Sequence, residues 1–172
     1  MQPGKGQDAD RELLHPLPLP LRSKPLLLVV LALVVTTVVA LSFASRRRPV
    51  SGLLDGHLRP CPTSPNCASS VCGDGAHEAH PLPVYGDPQS EFERLVGLTQ
   101  SQPRTELLQL TEDYAHFEVS TRMLRFRSDL ELHLDVPGRL IQLRSASRVG
   151  HSDFGSNHAT LEHLRSLFQG RE

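Results

Sequence analysis

Three features of the chain predict an α+β fold: an antiparallel sheet with two helices packed on one face, preceded by a single transmembrane helix. Residues 26–43 form an unbroken apolar block without a charge. Between Glu106 and Arg144, apolar and polar residues alternate in short runs separated by turn signals, the period-2 signature of strands. Apolar residues at helical spacing flank those runs on both sides, at Phe92–Leu98 and Leu161–Phe168. Short connections between successive strands favour antiparallel pairing over a parallel sheet.

The apolar block reads LLLVVLALVVTTVVALSF, with Thr36, Thr37 and Ser42 its only polar members. At a rise of 1.5 Å per residue, such a helix is about 27 Å long, close to the roughly 30 Å hydrocarbon core of a bilayer. A buried core helix would show a polar stripe, and this block has none. Arg22, Lys24 and Arg46-Arg47-Arg48 bracket it. Ser42-Phe43-Ala44 imitates a cleavage site, yet the run is longer than the core of a signal peptide, so an uncleaved anchor is expected. Basic residues lie on both sides of the block, and the positive-inside rule assigns no orientation.

Four segments follow: a Pro/Gly-rich tail expected to be disordered at 1–24, the anchor at 25–44, a linker at 45–56 and a soluble domain at 57–170. The chain has 172 residues, enough for one ordinary domain and a tail. Its formal charge of −1, two lysines and absence of Trp argue against nucleic acid as a partner. Within the soluble part, Asp87-Pro88 starts a helix that ends near Gln102-Pro103. Strands are expected at Glu106–Leu110, Tyr114–Ser120, Leu124–Leu134 and Leu140–Arg144, with a turn at Val136–Arg139. In the third of these, Arg125, Arg127, Asp129, Glu131, His133 and Asp135 share one face, expected to be the solvated one. A last helix runs from about Asn157 to Phe168, capped by Ser156 or Asn157.

Two polar segments fall outside this periodic pattern. In the first, CPTSPNCASSVC, Pro60, Pro62 and Pro65 exclude helix and central strand. Cys61 and Cys67 would close a small disulfide ring worth about 2 kcal/mol in an oxidising compartment. Pairs of either with Cys72 are also open. A metal site joining the cysteines to His77 and His80 lacks paired ligand spacing, and no metal or other cofactor is expected. The second segment, RSASRVGHSDFGSN, leaves a strand, passes Gly150 and Gly155, and enters the last helix. Arg144 and Arg148 beside a helix N-terminus suit a small anionic ligand, or else pair with Asp129, Glu131 or Asp153 to fix the loop. Ser145, Ser147 and Ser152, with His151 and Asp153 or with His116 brought from elsewhere, hold the elements of a serine-dependent hydrolase. Consecutive residues rarely aim at one point, however, and no nucleophile elbow is present.

Together these segments resemble the domain of unknown function 1499 family. LRPCPTSPNCASS at 58–70 is similar to that family's opening, and IQLRSASRVGHSDFGSN at 141–157 to its close. The resemblance places Cys61, Ser64, Pro65, Asn66, Cys67, Ser69 and Ser70 in one motif, and Arg144, Ser145, Ser147, Arg148, Gly150, Ser152, Asp153, Gly155 and Asn157 in the other. It implies a small secreted, anchored or lumenal domain, hence an extracytoplasmic setting, periplasmic or lumenal, with Cys61 and Cys67 paired. It implies no activity.

The expectation from the sequence is a non-catalytic, ligand-binding or scaffolding module held to a membrane by residues 26–43. Asn66 and the Arg144–Asn157 segment are expected to meet in one surface. A small anion or a membrane protein is the expected partner.

Overall fold

The computed structural model describes residues 23–47, 51–73, 75 and 77–170. The tail expected over 1–24 lies almost wholly outside the described residues, as does Arg48. The chain divides into two compact units, Met1–Val35 and Thr36–Glu172, with the boundary inside the first helix. That helix, α1, spans Ser23–Ala44. Its stretch from Lys24 to Ala44, whose most apolar eighteen-residue window has a mean hydropathy of 2.9, is long and apolar enough to cross a membrane.

The second unit contains α2 (Pro88–Gln100), α3 (Ser156–Phe168) and six strands. These are β1 (Cys67–Ser69), β2 (Leu82–Pro83), β3 (Thr105–Leu110), β4 (Tyr114–Ser120), β5 (Arg127–Asp135) and β6 (Leu140–Ser147). The strand order is β1-β6-β5-β4-β3, and β2 also pairs with β6, beyond β1 along the same edge. Every strand pairing is antiparallel.

Local chemistry explains the boundaries. Asp87 caps α2 by accepting from the Ser90 backbone N–H at 2.9 Å, and Pro88 occupies the first turn, where no N–H is required. The β5 strand begins at Arg127, three residues later than the alternation predicts. Arg125 adopts φ 50° and the Phe126 N–H turns back onto the Thr121 hydroxyl, so residues 121–126 form a loop. The cap of α3 also differs from expectation. Neither Ser156 nor Asn157 caps it; Gly155 holds the N-cap position at φ 81°, and Asp153 accepts from the Gly155 and Asn157 N–H groups at 3.0 and 2.8 Å.

The core lies between one sheet face and the two helices. Phe117, Leu130, Leu132, Ile141 and Leu143 meet Phe92 and Leu95 of α2 and Leu161 and Leu164 of α3. Cross-strand register makes this face continuous, with Phe117 opposite Leu130, and Leu132 flanked by Ala115 and Leu143. Leu143→Ala is expected to destabilise the domain by about 2–5 kcal/mol, the range for a fully buried leucine. The check is a shift of the urea midpoint at unchanged slope.

Candidate functional site

The second sheet face is buried as well. His116 and Glu118 of β4 and Asp129, Glu131 and His133 of β5 all lie below the surface. This corrects the solvated charged face expected from the alternation. The cover comes from residues that carry no periodic signal. The Gly52 N–H bonds Glu131 at 3.1 Å, Leu58 is buried, and Gly56, His57 and Leu58 line a cavity of about 340 Å³ with His133 and Gln142.

Register sets the chemistry of this face. Glu118 stands directly opposite Asp129, and His116 and Arg144 flank Glu131 from the two neighbouring strands. Two opposed carboxylates repel each other, and burial amplifies the repulsion. Arg148 resolves it. Its Nε and Nη2 donate to Asp129 at 2.9 and 2.7 Å, and its Nη1 donates to Glu118 at 2.7 Å, with the side chain only 1% exposed. His116 Nε2 adds a contact to Asp129 at 2.8 Å, and Arg127 one to Glu118 at 2.9 Å. Burial alone would raise the Asp129 pKa; hydrogen bonds from His116 and Arg148 outweigh it and hold the carboxyl below its ordinary value of 3.8. For Arg148, burial opposes the charged form, and Asp129 and Glu118 raise its pKa in spite of that.

A second cluster sits beside the first. Glu131 is fully buried and accepts from the Tyr114 hydroxyl at 2.6 Å and from Arg144 Nη1 at 2.5 Å. Burial pushes the Tyr114 pKa up, and the carboxylate it faces pushes it further. Arg144 Nε and His133 Nδ1 are buried without a hydrogen-bond partner among the described residues. Burial lowers the His133 pKa from its ordinary value. The two arginines singled out from the sequence are thus held by Glu131, Asp129 and Glu118.

The Pro-Cys segment and the Arg-Ser segment meet. Cys67–Ser69 forms β1, whose register partners are Ala146 to Arg144 of β6, so the RSAS sequence completes a strand and does not leave one. This corrects the strand end expected at Arg144. A β-strand tolerates Ser145 and Ser147 on its helix-facing side because Asn157 receives them. Ser145 Oγ donates to Asn157 Oδ1 at 2.7 Å, and Asn157 Nδ2 donates to Ser147 Oγ at 3.1 Å and to the Asn66 carbonyl at 2.8 Å. Asn66 in turn donates its amide to Gly150 O at 2.7 Å, while its side-chain oxygen accepts from the Ser64 hydroxyl at 2.8 Å. The Ser152 hydroxyl accepts from the Phe154 N–H. A disulfide joins Cys61 to Cys67, and Cys72 is a free thiol, whose sulfur accepts from the Cys61 N–H.

Chemically, this is a joint. Asn157 bonds four groups from two loops and a strand, while Arg148 sits on the opposite face one residue beyond the end of β6. The hydroxyls of Ser145 and Ser147 are engaged with the Asn157 amide, and His116, the histidine expected to serve them, is turned onto Asp129 on the other face of the sheet. No group of three or more metal-ligating side chains occurs among the described residues. Reading the sequence named Arg144, Arg148 and Asn157, with Asp129 and Glu131 as alternative partners for the arginines, but missed Glu118 and Tyr114. The signal for them was a strand pair whose polar face carries two carboxylates in register.

Arg148→Met is expected to cost about 3–5 kcal/mol, because it leaves Asp129 and Glu118 facing each other with their shared cation removed. Asp129→Asn tests the titration. With its folded pKa held below 3.8, Asp129 contributes stability that is complete above the unfolded pKa and is lost as pH falls through the folded one. The gap between wild type and Asp129→Asn in urea titrations should therefore be widest near neutrality and close below about pH 4.

The chain matches the family described as "Protein of unknown function (DUF1499)" over residues 57–168, well over half its length. No curated protein and no solved structure matches it. The matched span opens and closes around the joint built by Cys67, Asn66, Arg148 and Asn157, and the chain belongs to the DUF1499 family.

Proposed function

We propose that this protein is a single-pass membrane-anchored, non-catalytic module whose folded domain stands on the extracytoplasmic side, periplasmic or lumenal, and binds or scaffolds at the membrane surface. One observation carries the reading: the polar side chains of the two family motifs are engaged in holding the domain together. Asn66, Ser145, Ser147, Asp153 and Asn157 bond one another or the adjoining backbone. Arg144 and Arg148 are held by buried carboxylates. A module of this kind presents a shape to its partner and keeps its polar groups for itself. The apolar α1 supports the anchor, and the Cys61–Cys67 disulfide supports an oxidising compartment.

Thiol labelling in intact cells tests the placement. Maleimide-polymer is expected to reach Cys72 alone before reduction and Cys61 and Cys67 only afterwards, with the protein retained in carbonate-washed membranes. Reaction of all three cysteines without reductant, and only after permeabilisation, would reverse the orientation. For the absence of catalysis, a fluorophosphonate probe is expected to leave the purified protein unmodified. Labelling that disappears in Ser145→Ala or Ser147→Ala would instead establish the serine hydrolase.

A further inference from the structure

One end of the sheet gathers several exposed apolar side chains. The β4–β5 loop (121–126) and the β6–α3 loop (148–155) lie together there, because Ser128 pairs with Ser147 and the Arg148 N–H bonds the Arg127 carbonyl at 3.1 Å. Their tips carry Met123, 89% exposed, Leu124 beside it, and Phe154, 98% exposed. Phe154 also adopts φ 54°, a conformation that costs a bulky residue about 1 kcal/mol or more. A large apolar ring held in that geometry and left almost wholly exposed points to an occupant outside the domain.

The surrounding charge identifies the occupant. Arg122 and Arg125 are exposed on the first loop, and the only carboxylate of the two loops, Asp153, is spent on the N–H groups of Gly155 and Asn157. The chain reaches this same end on leaving α1, all within the unit that begins at Thr36. The Ser42 hydroxyl donates to the Leu124 carbonyl at 2.6 Å, and Arg148 Nη1 donates to the Ser45 carbonyl at 3.3 Å. Arg46 lies 4.2 Å over the Phe43 ring, with Arg47 exposed beside it. Apolar tips ringed by arginines, at the place where an apolar helix ends, are the composition of a membrane–water interface.

We infer that the loop pair 121–126 and 148–155 is a lipid-docking surface: Phe154, Met123 and Leu124 enter the boundary between headgroups and acyl chains while Arg122, Arg125, Arg46 and Arg47 bind anionic headgroups. The inference rests on the membrane anchoring proposed above and goes beyond it, because a tethered domain need not touch the bilayer. It also assigns the domain a fixed attitude, with the β2–α2 connection bearing Tyr85 at the far end of the sheet, since Pro83 pairs with Leu140 at the start of β6.

The chain contains no tryptophan, so a single introduced Trp is a clean reporter. Full-length Phe154→Trp and Tyr85→Trp, both at highly exposed positions, are reconstituted into vesicles of phosphatidylcholine and phosphatidylglycerol in equal parts, with and without acyl-chain bromination. Flotation of the vesicles reports the anchor and fluorescence reports the docking. Co-flotation with at least about twofold quenching of Phe154→Trp by brominated lipid, and none of Tyr85→Trp, is expected for an interfacial aromatic. Added salt should reduce that quenching if the arginines bind headgroups. Co-flotation with both variants unquenched would overturn the docking surface and leave the anchor standing. A blue-shifted but unquenched Phe154→Trp would place the ring against protein, a second copy included, and would also overturn it. Failure to float would remove both readings.

Discussion

Two carboxylates placed opposite each other on adjacent strands, under cover, are the constraint around which this domain is organised. Glu118 and Asp129 are register partners, so neither can be moved without moving β4 or β5. Their repulsion is answered chiefly by the guanidinium of Arg148, which bridges both and approaches along the sheet from the end of β6, with Arg127 on Glu118 and His116 on Asp129. This fixes how far β6 must run and where the chain may turn away from it. The strand therefore continues through the serine-rich segment, the turn begins only at Arg148, and Gly150 brings its carbonyl back to Asn66. Arg148 also reaches the Ser45 carbonyl, so the chain just past α1 and the loop junction depend on the same residue.

The two faces of β6 divide the work. On the helix side, Ser145 and Ser147 use the amide of Asn157 to join α3 to the sheet and to the Asn66 backbone just before β1. On the other side, Arg144 holds Glu131, which Tyr114 and Gly52 also contact. A buried ionic face of this kind contributes little net stability compared with apolar packing, yet breaking one member is costly. Its contribution is to admit one register and one position of the cover.

Much of the architecture was legible because it rests on periodicity. The alternation in Tyr114–Ser120 and in the leucines of β5 marks strands, and Asp87-Pro88 marks a helix start by chemistry local to a few residues. What escaped reading is non-local. Alternation separates the two faces of a strand but is silent on whether the polar one is covered, and residues 51–58, which cover it, have no pattern of their own. The RSAS segment read as a loop because serine and arginine are poor core residues. Only Asn157, ten residues beyond Ser147, and β1, far earlier in the chain, make it a strand. Motif resemblance identified these residues without saying what they do, since the contacts that define them join positions about eighty residues apart.

That separation bears on how the protein is made. Cys61 and Cys67 are six residues apart and can oxidise as soon as their short segment emerges, whereas the strand that holds Cys67 in place, β6, follows only at Leu140–Ser147. During that interval Cys72 competes for the same partners, and no tertiary contact discriminates among them. Covalent closure can precede the packing that would proofread it, and a correct native yield then depends on thiol exchange remaining possible until Ala146 and Asn157 have arrived. For a ring closed this early, thiol isomerisation matters as much as oxidation.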